Sequence, residues 1–251
     1  MNTLSISAIA LAFILGGTLL GAAIRSRLSE RQLGVDAKDV IKLAAAFVAT
    51  LSALVLGLLI ATAKSSFDTK IAQVKLLAAD VILLDELLAQ YGPETVNARQ
   101  IGRHNFELMI DRIWHEHEAG SPKPFEMNRE AQAFLQAVYS LATQNDLQRS
   151  LKTRIVETLK DLAQARLALF VQSGSTISTP FLMILTFWLT ILFAIFGLLT
   201  RINVLVGVTL LICALSVSTS IFLILDFDRA FEGVIKIPSA PLRNALPPLA
   251  P

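Results

Sequence analysis

The hydrophobic positions of this chain fall into four long blocks, at residues 4–24, 43–63, 181–200 and 204–225. No Asp, Glu, Lys, Arg or His interrupts any of them. A helix needs about 20 consecutive apolar residues to cross the hydrocarbon core of a bilayer. The pattern therefore predicts four transmembrane helices.

The pattern changes after the second block, where polar residues appear but the helical period continues. The apolar positions then alternate steps of four and three residues, which is typical of a helix with one buried seam: Phe67, Ile71, Val74, Leu77, Val81, Leu84 and Leu88. No Gly or Pro occurs between residues 64 and 91, and Gly92-Pro93 is a helix stop signal. We predict one helix that crosses the membrane and continues into water as a coiled-coil-like arm.

The rest of the polar part also predicts helices, at residues 94–118 and 128–171. The longer one repeats a single apolar face: Phe134, Val138, Leu141, Leu151, Ile155, Leu159 and Leu162. The predicted fold is an all-α membrane protein, with four transmembrane helices as two hairpins and a long helical soluble insert between the second and third. The expected domains are a first hairpin at 1–63, the insert at 64–178, a second hairpin at 179–226 and an extended Pro-rich tail at 227–251.

Composition and charge support a multi-pass protein of the cell membrane, such as a bacterial inner membrane. Apolar residues make up 54% of the 251 residues, and the net charge of +2 gives no basic patch for nucleic acid. Arg25 and Arg27 follow the first block, whereas a signal peptide carries its positive charge before the apolar core. Positive charges flank both ends of the hairpins, so orientation stays open. The single Cys213 excludes an intramolecular disulfide.

Small residues recur at helix-packing spacing in the first two blocks. Gly17 and Gly21 form a GxxxG pair, and a stripe with a four-residue period follows in the second block: Ala45, Ala49, Ala53, Gly57 and Ala61. Such spacing lets another backbone approach closely, so we expect these two helices to pack tightly together. The alternative is that the small residues only reduce side-chain bulk against lipid.

The sequence contains no phosphate-binding glycine loop, paired-cysteine metal motif or nucleophile elbow, so we expect no enzyme and no cofactor. Ionisable groups are absent from the apolar blocks, which disfavours ion-coupled transport. A passive pore needs no such group. Hydroxyl groups in the fourth block could bond to another helix, to their own backbone or to pore water: Ser216, Ser218, Thr219 and Ser220.

Two clusters could in principle hold a metal ion. His104, Asp111 and His115 share one helical face with Glu107 and Glu118, a stripe that could hold zinc but more simply forms a solvated polar surface. At the end of the fourth block, the acidic residues Asp226, Asp228 and Glu232 could bind a hard cation or pair with Lys64 or Arg229. We expect no metal at either place.

Five stretches together resemble a known family. They are LGLLIATAKSSFD at 56–68, LLAQYGP at 87–93, FWLTILFAIFG at 187–197, CALS at 213–216 and FLILDFDRAFEGVIKIPSAPLRNAL at 222–246. The chain is similar in these, and in their order, to a bacterial membrane family of unknown function described as bestrophin-like. A Pro that the family has near Ala230 is absent here. The motif residues carried over are Lys64, Ser65, Ser66, Asp68, Asp226, Asp228 and Gly233.

The resemblance implies a layout like that of bestrophins, which are pentameric anion channels with a cytoplasmic helical domain. We accordingly expect a homo-oligomeric passive channel in the lipid bilayer, with small anions as its ligands. The alternative is a non-conducting scaffold or sensor that binds a partner protein through its helical arms. A metal-dependent membrane enzyme using the His104 stripe is a more distant hypothesis.

Overall fold

The structure, a computed structural model, describes residues 3–28, 34–118, 129–171, 177–200, 203–231 and 233–246, with the side chains of residues 115–118 left out. The α-helices found there are α1 (Thr3–Arg27), α2 (Val35–Tyr91), α3 (Val96–Glu118), α4 (Arg129–Tyr139), α5 (Asp146–Val171), α6 (Thr179–Leu199), α7 (Val204–Asp228) and α8 (Ala240–Ala245). None of these described residues lies in a β-strand. The predicted all-helical class is confirmed.

The chain divides into two compact units. The first unit combines Met1–Ser66 with Ser175–Arg229, and the second combines Phe67–Gly174 with Ala230–Pro251. Four helices are long and apolar enough to cross a membrane, namely α1, α2, α6 and α7. The chain is therefore a membrane protein with all four candidate spans where the hydropathy pattern placed them.

In the first unit α1 packs against both α6 and α7. The helices α1 and α6 run in the same direction, since Gly17 lies against Thr190 and Arg25 lies against Leu198. The core of this unit is built from side chains of all four spans: Ala10, Ile14, Leu59, Ala63, Leu185, Leu189, Phe193, Ala214, Ile221, Ile224 and Leu225. Arg25 Nη1 donates to the Leu198 carbonyl at 3.0 Å, which satisfies a free carbonyl at the end of α6.

The second helix is one uninterrupted element of 57 residues, about 85 Å long at 1.5 Å per residue. Its predicted apolar seam is confirmed, because every residue of it is buried except the half-buried Ile71. The predicted stop is also confirmed. The helix ends at Tyr91, and Gly92 has φ of 129°, a backbone conformation that other residues avoid.

The predicted helix over residues 128–171 is wrong in one respect, because the structure has two helices, α4 and α5, in its place. Local side chains terminate one helix and start the next. Asn145 Oδ1 accepts from the Gln148 backbone N–H at 2.7 Å, and Gln148 Oε1 accepts from the Gln144 backbone N–H at 2.8 Å. Lys152 Nζ donates to the carbonyls of Tyr139 (2.8 Å) and Leu141 (2.7 Å), and so caps the carboxyl-terminal end of α4.

The carboxyl-terminal segment differs from the extended tail that was predicted. The helix α7 continues to Asp228, and the short helix α8 follows at Ala240–Ala245. Between them, the Ile237 backbone N–H donates to the Ala230 carbonyl at 2.9 Å and closes a loop. Leu242 and Ala245 are fully buried, so α8 is part of the core of the second unit.

Candidate functional site

The glycine pair of α1 lies directly on the backbone of α6. A Cβ added at Gly17 would stand 2.5 Å from the Thr190 carbonyl oxygen, and one added at Gly21 would overlap the Ala194 carbonyl. On α6 itself, a Cβ at Gly197 would overlap the Thr18 carbonyl. Close helix contact at the GxxxG pair was predicted, but the partner helix was assigned wrongly. The structure places these glycines against α6 rather than α2.

The small-residue stripe of α2 does not follow one packed face. Only Ala45 is buried; Ala49 is half-buried, whereas Ala53, Gly57 and Ala61 are exposed. Apart from the adjoining residues and backbone of α2 itself, no described atom lies within 4 Å of a Cβ built at Gly57. A four-residue step turns a helix by about 400°, so each step moves the stripe about 40° around the axis. After four steps it has moved from the buried side to the opposite side.

The residues opposite the buried seam form a continuous exposed face, here called the outer face of α2. Its members share a narrow range of helical angles: Phe47, Leu54, Ala61, Ala72, Leu76, Ala79 and Leu83. Leu54 is 67% exposed in the apolar half, and Leu76 is 57% exposed beyond it. A row of exposed apolar side chains that continues outside the apolar block is a candidate protein interface, since single exposed leucines are common but contiguous apolar faces are not.

The hydroxyl groups of α7 divide between two of the three roles considered. Ser218 Oγ is buried and donates to the Ser7 carbonyl of α1 at 2.9 Å. Ser216, Thr219 and Ser220 donate to carbonyls four residues earlier in α7, at 2.8 to 3.0 Å. Ser218 therefore joins two helices, and the others satisfy their own backbone.

The motif residues lie near the ends of the apolar blocks of α2 and α7 in the sequence, and one contact between the two helices is found there. Lys64 Nζ lies 5.7 Å from the centroid of the Phe227 ring, within the range of a cation–π contact. Asp226 is fully buried and Asp228 is 8% exposed, and neither is without an interaction partner. Ser65 and Asp68 are exposed, Ser66 is half-buried and Gly233 is buried. Glu232 lies outside the described residues.

The His104 stripe is not assembled into a metal site in the described part of the chain. His104 is exposed on α3. Asp111 accepts a hydrogen bond from Arg243 Nη2 at 3.0 Å, so its carboxylate joins α3 to the segment containing α8. The side chain of His115 is not among those described. The groove beside this ion pair has a volume of about 350 Å³ and is lined by Arg103, Glu107, Ile110, Asp111, Arg243 and Leu246.

A buried ion pair in the second unit was missed by sequence reasoning. The Arg99 guanidinium of α3 donates to both carboxylate oxygens of Asp85 in α2, at 2.7 and 3.0 Å. This hydrogen bond raises the pKa of Arg99. The two residues are 14 positions apart on different helices, so no local spacing rule connects them. The one sequence signal for this pair is that Asp85 follows Leu84, a residue of the buried seam.

The family model described as Bestrophin-like domain matches residues 12–242. A crystal structure of a bacterial bestrophin homologue from Klebsiella pneumoniae has a similar fold, with a TM-score of 0.55 at 14% sequence identity. The alignment covers 94% of this chain and 96% of that one. No curated protein matches the chain in sequence.

Proposed function

Because the chain belongs to the bestrophin-like family, we propose that it is the protomer of a passive anion channel. Several copies would form a ring in the cell membrane, the inner membrane of a bacterium, with α2 of each copy lining or bracing a central pore. The transmembrane helices would be arranged as two hairpins on either side of a helical insert. Small anions are the proposed ligands, by analogy with bestrophins.

The observation that carries this proposal is the outer face of α2. It runs from Phe47 to Leu83 on one helix and is exposed in the single protomer. Leu76 and Leu83 lie outside the apolar block, where water would meet them unless another chain covers them. Copies of α2 placed side by side around an axis would bury these leucines and surround a channel.

The chemistry of the spans fits passive rather than coupled movement of ions. The apolar blocks contain no ionisable side chain. A proton- or sodium-coupled transporter needs a group within the membrane that binds the coupling ion. Hydrophobic constrictions and helix ends are enough for a pore that opens and closes.

Flux measured from purified protein in liposomes tests the proposal. We expect chloride to leave loaded vesicles down its own gradient, without a proton or sodium gradient. Flux no greater than that of empty vesicles would contradict the channel. The mass of the particle in mild detergent is the second measurement. A monomer or dimer would favour the non-conducting scaffold, since neither encloses a central pore.

A further inference from the structure

The segment that follows α7 is attached to α3 by Trp114. The indole N–H of Trp114 donates to the Ile237 carbonyl at 3.0 Å. The indole ring also meets the Phe231 ring edge-on, with centroids 5.7 Å apart and planes at 90°. One side chain therefore binds the segment twice, through its polar and its aromatic parts. We call these contacts the Trp114 clamp.

The described residues at both ends of the clamped segment are joined by a hydrogen bond and are buried. The Ile237 N–H donates back to the Ala230 carbonyl at 2.9 Å. Ala230, Phe231 and Ile237 are each at most 5% exposed. A second attachment to α3 follows at Arg243, which pairs with Asp111 one helical turn before Trp114.

The segment bound by the Trp114 clamp begins almost immediately after α7, the last apolar helix. The helix α7 ends at Asp228, and Arg229 alone separates it from Ala230. An extended residue spans at most about 3.6 Å, so this connection has little slack. A movement of the end of α7 therefore pulls on Phe231 and on the Trp114 clamp.

We propose that Trp114 is a positioning residue of the channel, which fixes the chain leaving α7 and thereby sets how readily the channel opens. The inference rests on the proposed channel function. Trp114 lies in α3, outside the four apolar helices, so its effect on opening would be indirect. Weakening the clamp should shift the opening equilibrium without altering the conducting path.

Two substitutions at Trp114 remove one or both of the contacts that form the Trp114 clamp. Trp114→Phe keeps an aromatic ring for Phe231 and removes the N–H donor, whereas Trp114→Ala removes both. Phe231→Leu weakens the clamp from its other side. Tyr139→Phe is the matched control, because it alters an exposed aromatic residue of α4 outside the clamp.

Trypsin cleavage after the exposed Lys236 reports directly on the clamp. For Trp114→Phe we expect cleavage about fivefold faster than in the wild type, the effect of losing one hydrogen bond. Trp114→Ala should be cleaved faster still, and Tyr139→Phe at the wild-type rate. Wild-type cleavage kinetics in Trp114→Ala would show that the clamp does not hold the segment.

Single-channel recording in planar bilayers reports on opening. We expect the ratio of open to closed time to change about fivefold in Trp114→Phe, and more in Trp114→Ala, with the unitary current unchanged. A purely structural role would lower the number of active channels and leave the open probability of each unchanged. Faster cleavage with a wild-type open probability would overturn the inference while the channel stands. A wild-type protein that does not conduct would overturn the proposed function, and the role in opening with it.

Discussion

Asp85 lies on the buried side of α2, where its carboxylate accepts two hydrogen bonds from the Arg99 guanidinium. Its side chain is 5% exposed and that of Arg99 is 17% exposed. Removing one member of a buried ion pair leaves the other charge poorly compensated. We expect Asp85→Asn to lower the free energy of unfolding by about 3 kcal/mol, as measured by denaturant unfolding in detergent.

Two further variants separate the charge from the packing. The double variant Asp85→Leu with Arg99→Met should recover most of the lost stability, because apolar residues often replace a buried pair without loss. Glu107→Gln breaks the half-exposed pair with Arg103 and should cost less than about 1 kcal/mol. Equal losses for Asp85→Asn and Glu107→Gln would show that burial does not strengthen the first pair.

Asp80 should make the stability of the second unit depend on pH, and the direction of the pKa shift gives the sign of that dependence. Burial raises the pKa of Asp80 from its ordinary value of 3.8, and the charge of Asp161 raises it further. The folded protein therefore holds this proton more tightly than the unfolded chain, and stability falls as pH rises through the raised pKa. We expect Asp80→Asn to melt at a higher temperature than the wild type at about pH 7, with the difference shrinking toward pH 3.8.

Thermal unfolding in detergent across this range measures the effect. Asp161→Asn should reproduce part of the gain at about pH 7, because it removes the neighbouring negative charge that helps to raise the pKa of Asp80. A melting difference between Asp80→Asn and the wild type that does not change with pH would contradict the assignment.

The contact between α1 and α6 is an element-scale feature with a matched pair of variants. Gly21→Ala places a methyl group on the Ala194 carbonyl, and two backbones must separate to accept it. Overpacking of this kind typically costs about 1–3 kcal/mol. Gly57→Ala adds the same methyl group to an apolar helix at a position where no described atom beyond the adjoining part of α2 lies within 4 Å.

We therefore expect Gly21→Ala to lower the melting temperature in detergent and Gly57→Ala to leave it unchanged or slightly higher, since alanine favours the helix. Equal destabilisation by the two variants would show that the α1–α6 contact is not the tighter site. The corresponding change on the facing helix, Gly197→Ala, should resemble Gly21→Ala.

Some features of the helices could be predicted from the sequence, and others could not. Periodicity predicted α2 and its buried seam, because each position depends only on the local helical angle. It could not show that α4 ends before α5, since the bonds that separate them come from Asn145, Gln148 and Lys152. Small-residue spacing at Gly17 and Gly21 indicated a close neighbour without identifying it. That identity depends on the packing of three helices.

At the scale of the whole molecule, the outer face of α2 should control assembly. We expect Leu76→Glu together with Leu83→Glu to reduce the particle mass in mild detergent, because carboxylates would be buried between copies. Both positions are exposed in the protomer, so its own fold should be retained. Leu147→Glu is the control, because Leu147 is 68% exposed and belongs to a different helix, α5. An unchanged mass in the double variant would exclude the outer face as an interface.

Fold class and family were accessible from sequence because hydropathy and separated motifs both extend over most of the chain. The contacts between helices that form the candidate site could not be predicted in the same way. Asp85 and Arg99 meet across two helices, and the Trp114 clamp joins residues more than a hundred positions apart. Such contacts are fixed by tertiary packing, which leaves no local signature in the chain.

The uninterrupted course of α2 has a consequence for insertions and deletions near Lys64. Each residue of a helix turns it by about 100°, so deleting one residue would rotate all later side chains by that angle relative to the earlier ones. Phe47 and Leu83 would then no longer share a side of the rod. Adding seven residues would complete almost two turns and restore their alignment to within about 20°.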